Sequence, residues 1–308
     1  MKRFLILPLL LASLVLSACQ ADAPSQNGLV SVLAIEPFLA DLTQNVAGDR
    51  LVIDSLIPLG LDPHAFEPNP QDIARLRNAD VLILNGGGLE EWLDDILENN
   101  PSTQRVIIAS EGLPPRTPQP GEPAHDDTEH AHEGDPHFWL NPLNVIRYIE
   151  NIRAGLVAAD PAGAETYNQN AETYTTALQQ LDAELEAELA VIPPARRLLV
   201  TNHESFGYFA DRYNLRIIGT IIPSISTGAS PSARELANLV DVIQSSQAPA
   251  IFLETGSNPV LAEQIAVETG VRVVEGLYTH SLSAPGSPAA TYLEMMRTNV
   301  RLIVEALR

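Results

Sequence analysis

Cysteine is nearly absent from this 308-residue chain, which has one, Cys19. A single thiol rules out an intrachain disulfide and any metal site built from thiolates. Basic residues are scarce too: 18 Lys and Arg stand against 39 Asp and Glu, a formal net charge of −21. A surface of that sign repels phosphate backbones, so no nucleic-acid partner is expected. Beyond Cys19 no apolar run is long enough to cross a bilayer. The HExxH stretch that marks many zinc hydrolases is also missing.

What is present begins with Lys2-Arg3 and the apolar stretch Phe4 to Leu16, a charged n-region and an h-region too short for an ordinary spanning helix. The following Leu16-Ser17-Ala18-Cys19 resembles the lipobox of bacterial lipoproteins, where cleavage before the cysteine leaves it as the acylated first residue. The expected layout is a signal peptide over 1–18 and a small, polar, lipid-anchored tether over 19–28. That puts the mature protein outside the cytoplasm, as a periplasmic lipoprotein or on the outer face of the cytoplasmic membrane, held by Cys19. Loss of Lys2 and Arg3 leaves 16 basic residues against 39 acidic, a net of −23.

From Leu29 onward, short apolar runs alternate with helical periodicity. The runs Leu29–Ile35, Leu51–Ile57, Asp80–Leu84 and Arg105–Ala109 are separated by helical segments at Pro37–Val46, Pro70–Asn78 and Leu89–Leu97. Such runs, alternating with helices, argue for a parallel sheet covered on both faces. A second set, Arg197–Thr201, Leu215–Ile222, Ala250–Glu254 and Val271–Val274, alternates with helices that include Ser232–Gln244 and Tyr292–Leu307. Between the sets, Asn141-Pro142 opens one helix, and Asp160-Pro161 opens a long stretch with no glycine after Gly163, ending at Pro193-Pro194. The fold class expected is α/β. An N-terminal lobe over 29–157, with a His-rich loop at 115–135, and a C-terminal lobe over 193–308 are joined by one long rigid helix over 158–192.

Histidines point to the chemistry. His137 lies in Asp135-Pro-His-Phe-Trp-Leu-Asn-Pro142, where two prolines restrict the backbone on either side of it. Just upstream, His125-Asp-Asp-Thr-Glu-His-Ala-His132 is hydrophilic and acidic, and His125, His130 and His132 suit loose metal binding by an accessory loop. His64, His203 and His280 each follow a predicted strand and precede a helix. That address is the carboxyl end of parallel strands, where open α/β sheets bind their ligands. Neutral imidazole is the commonest protein ligand for zinc-like ions. His64, His137, His203 and His280 are therefore the candidate metal ligands, two from each lobe, with the site in the cleft between lobes.

The residues Gly60-Leu-Asp-Pro-His64-Ala-Phe-Glu-Pro68, Asp135 to Pro142, Asn202-His203-Glu-Ser-Phe-Gly-Tyr-Phe-Ala-Asp-Arg-Tyr213 and Gly276-Leu-Tyr-Thr-His-Ser-Leu282 resemble the zinc/manganese-type solute-binding lipoproteins of bacterial metal ABC importers. The resemblance covers essentially the whole chain after Cys19. It implies two α/β lobes joined by a long helix, a Zn2+ ion carried between them as the transported ligand, and an ABC permease transmembrane subunit as partner. It assigns ligand roles to His64, His137 and His203, and histidine at 203, where manganese-type members tend to have a carboxylate, favours zinc. This chain departs from the family at His280, where an aspartate is usual. Four neutral imidazoles satisfy tetrahedral zinc but leave its charge uncompensated, which makes Glu204 and Glu254 candidates for orienting a ligand imidazole. Imidazole-rich sites also accept copper or nickel. The expectation is a monomeric binding protein that captures extracytoplasmic Zn2+ for a permease, with no catalytic residues. The alternative of the same type is a protein for manganese or another divalent metal; a membrane-anchored zinc hydrolase is the reading from another class.

Overall fold

The computed structural model describes residues 29–98, 104–119, 122 and 134–308. Cys19 and the tether, and His125, His130 and His132, lie outside the described residues. In the first half the chain runs β1 (Val32–Ala34), α1 (Pro37–Ala47), β2 (Ile53–Ser55), α2 (Pro70–Asn78), β3 (Val81–Leu84), α3 (Glu91–Glu98) and β4 (Arg105–Ile108). All strand pairs are parallel, in the order β2-β1-β3-β4. The central strands β1 and β3 are buried throughout, while β2 at the edge is only partly buried. This is the pattern that helices on both faces impose on a parallel sheet.

The second half repeats that order. It runs β5 (Leu198–Thr201), α6 (Gly207–Tyr213), β6 (Arg216–Thr220), α7 (Ala233–Ser246), β7 (Ala250–Glu254), α8 (Val260–Thr269), β8 (Arg272–Leu277) and α9 (Tyr292–Leu307). Its strands are arranged β6-β5-β7-β8, again all parallel. In each sheet the strand order reverses beside the first strand of the set. This opens a crevice outside the carboxyl ends of β1 and β3 in one half and of β5 and β7 in the other.

The long connection is two helices. As the sequence predicts, one opens at Pro142 and a longer one follows Asp160-Pro161: α4 (Pro142–Ala159), a 3-10 turn at Pro161–Gly163 and then α5 (Ala164–Leu189, 26 residues), which lies within the predicted 158–192. Pro161 causes the break, because it lacks an N–H to donate and pushes Asp160 out of the helical region, to φ −134° and ψ 79°. Arg50 clamps the corner with a two-pronged contact to Asp160, which also accepts from the Tyr167 hydroxyl at 2.5 Å. At 1.5 Å per residue α5 is about 39 Å long. Its buried side chains Tyr167, Ala171, Tyr174, Leu178, Leu181, Leu185 and Leu189 recur every three or four residues, one stripe of a helix. That stripe packs on α1, α4 and α9, so α5 touches both halves along its length. Each half has a private apolar layer, around Leu56 and Leu82 in the first and around Val200 and Ile251 in the second, and both share one large core with α5.

The crevice of the first half is filled by acids. Glu36, two residues beyond β1, and Glu90, beyond β3, are both buried. Glu90 accepts from the backbone N–H of Asn85 at 2.5 Å and of Gly86 at 3.0 Å. Burial, followed by the charge of Glu90, pushes the Glu36 carboxyl well above the ordinary range. Burial likewise raises Glu90, to about 7. A carboxyl raised in the folded state binds its proton more tightly there than in the unfolded chain. Its contribution to stability is full below about 4.5, the ordinary glutamate value, and is lost as pH rises to about 7 and beyond. Glu36→Gln should flatten this slope. Melting followed from pH 5 to 8 in the metal-free protein should show the wild type losing up to about 1.4 kcal/mol per pH unit relative to the variant; parallel curves would remove the pair from the pH response.

Candidate metal site

Four histidines from four separate segments converge where the two halves meet. His64 sits on a 3-10 turn, Pro63–Ala65, after β2, and its backbone N–H donates to Asp62 Oδ1 at 3.0 Å. His137 ends the long connection from β4, at the start of the 3-10 turn Phe138–Leu140 that leads to the Asn141 cap of α4. His203 lies two residues beyond β5, and Thr201 Oγ1 donates to its carbonyl at 2.8 Å. His280 lies three residues beyond β8. The structure thus brings together the four histidines that the sequence singles out as ligands. One ligand nitrogen from each lies within 4.8 Å of all the others. Among the described residues no second group of three or more His, Cys, Asp or Glu converges in this way.

The hydrogen bonds fix which nitrogen of each ring faces inward. His137 Nδ1 meets Asp135 Oδ1 at 2.8 Å, and the same oxygen accepts from the His137 backbone N–H at 3.0 Å. His203 Nδ1 meets Glu254 Oε1 at 2.5 Å. Thr279 Oγ1 donates to Glu254 Oε2 at 2.7 Å, so it accepts the proton of His280 Nδ1, 3.1 Å away. Two Nδ1 protons therefore end on carboxylates and the third on a hydroxyl that one of those carboxylates holds, and three Nε2 lone pairs point toward one another. The Nε2 atoms of His203 and His280 each lie 3.2 Å from His137 Nε2, and His64 Nε2 lies 3.4 Å from it. Four donors at tetrahedral corners, each about 2.0–2.1 Å from a central ion, would be about 3.3–3.4 Å apart.

Electrostatics agrees with that geometry. His137, His203 and His280 are buried. Burial holds His137 and His280 well below the ordinary imidazole range, and burial with the neighbouring His203 takes His64 down to about 3. These rings are neutral and ready to donate lone pairs. Among the four, His203 alone is raised: burial opposes its charge most strongly, but the neighbouring carboxylates, Glu254 first and then Asp62 and Asp135, together outweigh burial. Asp135 and Glu254 together set two negative charges beside the cluster, which answers the charge that four imidazoles leave uncompensated on a divalent ion.

Of the two acids proposed from sequence, Glu254 lies against His203. Glu204 lines a cavity of about 550 Å³ that His64, Trp92 and Thr220 also border. Asp135 and Thr279 join the site without having been expected there. Asp135 had a visible signal: Asp62-Pro63-His64 and Asp135-Pro136-His137 are the same tripeptide, and in both the aspartate accepts from the histidine N–H two residues on. Thr279 had none beyond its place next to His280. Asp135 also requires Gly207, where a Cβ would fall 2.6 Å from Asp135 Oδ2.

A family model described as zinc-uptake complex component A, periplasmic (ZnuA), matches residues 32–306. The manganese-binding lipoprotein MntA of Halalkalibacterium halodurans is 31% identical over 304 residues, covering 97% of this chain and 96% of its own. The iron-binding protein YfeA of Yersinia pestis is 30% identical over 296 residues, covering 96% of this chain and 92% of its own. Among solved structures, the periplasmic zinc binding protein TroA from Treponema pallidum superposes with a TM-score of 0.83 at 26% identity, covering 91% of this chain and 99% of that one. The Mn-bound periplasmic metal binding protein from Candidatus Liberibacter asiaticus superposes with a TM-score of 0.78 at 29% identity, covering 90% and 99%. These similarities extend over both sheets and the helices between them, and they are to transport components, not enzymes. The chain belongs to the ZnuA family of metal-binding proteins of ABC importers.

Proposed function

We propose that this protein captures a divalent transition-metal ion outside the cytoplasm, with His64, His137, His203 and His280 as its ligands, and passes it to an ABC permease while anchored through a lipid on Cys19. The observation that carries the reading is the convergence of the four rings: the Nε2 atoms of His64, His203 and His280 lie 3.2–3.4 Å from that of His137, and one nitrogen of each ring lies within 4.8 Å of all the others. The ion this donor set selects is zinc: four imidazoles suit its tetrahedral preference, while the general affinity order places manganese lowest and manganese favours oxygen donors. Manganese or iron cargo is the second reading, and the relatives' names support it, since MntA is named for manganese and YfeA for iron. Metal analysis of protein purified without added metal, followed by competition between zinc and manganese, separates the two. Zinc is expected to displace manganese at equal concentration; retention of manganese against zinc would reverse the assignment.

Two kinds of variant test the ligand set. His137→Ala should abolish high-affinity binding, a loss of several orders of magnitude in titration calorimetry. Removal of residues 124–133, with His125, His130 and His132, should leave one tight site nearly intact and delete only weak, fast-exchanging binding. Equal loss from both would refute the division between ligands and accessory histidines.

Glu254→Gln tests the orienting carboxylate. The amide keeps the size but loses the charge shared by His203 and Thr279, and outer-shell changes of this kind lower metal affinity by about 10–100-fold. An unchanged affinity would show that Glu254 does not hold these rings for the metal.

A further inference from the structure

His64 is held differently from the other three histidines. It is partly exposed where they are buried, and its segment, residues 58–66, carries two outward-facing leucines, Leu59 and Leu61, each 48% exposed. Cavities flank the segment on both sides. The one of about 550 Å³ borders His64 itself and Ser224 to Ser226. The other, of about 420 Å³, lies under Gly60 to Asp62 and reaches Thr227, His280 and Ser281. Space on both flanks means that side-chain packing does little to press the segment onto the second half.

Two hydrogen bonds cross that gap. Thr227 Oγ1 donates to Asp62 Oδ2 at 2.5 Å, and Gly60 N–H donates to Ser281 Oγ at 2.7 Å. Both meet the ligand set at one remove. Asp62 Oδ1 holds the backbone N–H of His64, and Ser281 follows His280 in the chain. The comparison with the second Asp-Pro-His tripeptide is informative. There Asp135 uses one oxygen for both the backbone and the ring of His137, fixing that ligand within its own segment. Asp62 instead spends its second oxygen on a hydroxyl from the other half of the molecule. In one tripeptide an aspartate oxygen thus holds both the backbone and the ring of its histidine, and in the other the aspartate holds the backbone of its histidine and a hydroxyl across the cleft.

We propose that Thr227 and Ser281 are positioning residues that latch the His64 segment in place and set how long the captured ion stays. With the latch closed, His64 is held against the other three ligands. With it broken, the segment can lift and His64 can turn into the larger cavity, leaving the ion on three ligands beside an open path. This rests on the reading of the four histidines as the cargo site.

The test is the rate at which zinc leaves the loaded protein into excess chelator, measured by stopped flow. Thr227→Val keeps the shape and removes the donor, Ser281→Ala removes the acceptor for Gly60, and Thr227→Ser restores the hydroxyl. Each of the first two should raise the release rate about tenfold, the scale of one charged or well-placed hydrogen bond, with little change in the capture rate. Thr227→Ser should release at the wild-type rate, and the metal-free forms of all variants should melt with the wild type. Wild-type release from Thr227→Val and Ser281→Ala would overturn the latch. So would a melting point lowered as much without zinc as with it, since that marks an ordinary structural contact. Failure of the wild type to bind one zinc at all would instead overturn the reading of the site, so the two failures are distinguishable.

Discussion

Nitrogen lone pairs gathered 3.2–3.4 Å around that of His137 in a buried place repel one another unless a proton or a cation lies among them. Much of the structure serves to hold the imidazoles in that arrangement. Asp135 and Glu254 take the outer ring protons, Thr279 relays one of them, and Gly207 leaves the space in which Asp135 can stand. Trp139, fully buried and stacked on Phe38 at 4.5 Å, donates its indole N–H to the carbonyl of Thr279 at 2.7 Å and so binds the His137 segment to the His280 segment. Tyr292 adds a hydrogen bond from α9 to the carbonyl of Trp139 at 2.7 Å. An unfavourable convergence persists only when its surroundings over-determine it, and such surroundings are a mark of function.

The elements were legible wherever local chemistry decides them. Ala250–Glu254 and Tyr292–Leu307 have the boundaries that their apolar pattern predicts, and α2 has the predicted bounds Pro70–Asn78, where Asn69 and Asp72 form a capping box. Paired strands such as Val32–Ala34 are shorter than the apolar runs that contain them, because burial continues past the point where the ladder stops. The break between α4 and α5 was legible at Asp160-Pro161, where a proline cannot continue the preceding helix but suits the start of the next. The common core shared by both halves left no local trace, since it depends on α9 returning to α5 and α1. At the site, the ligand histidines announce themselves by their position after strands. Glu254 was a candidate too, as an acid at a strand end, but no local pattern records which ring it would orient, that of His203, 51 residues away.

The two sheets share one strand order and therefore offer two crevices of the same kind. In the second, His203 and Glu254 stand at the opening. In the first, Glu36 and Glu90 occupy it themselves, and Glu90 is spent on the backbone amides of Asn85 and Gly86. Asn85 in turn donates to the carbonyl of Pro136, next to His137. The doubled architecture therefore does not double the capacity. The two copies of the topology instead contribute two histidines each to one cluster, so among the described residues a molecule built twice over gathers its imidazoles only once.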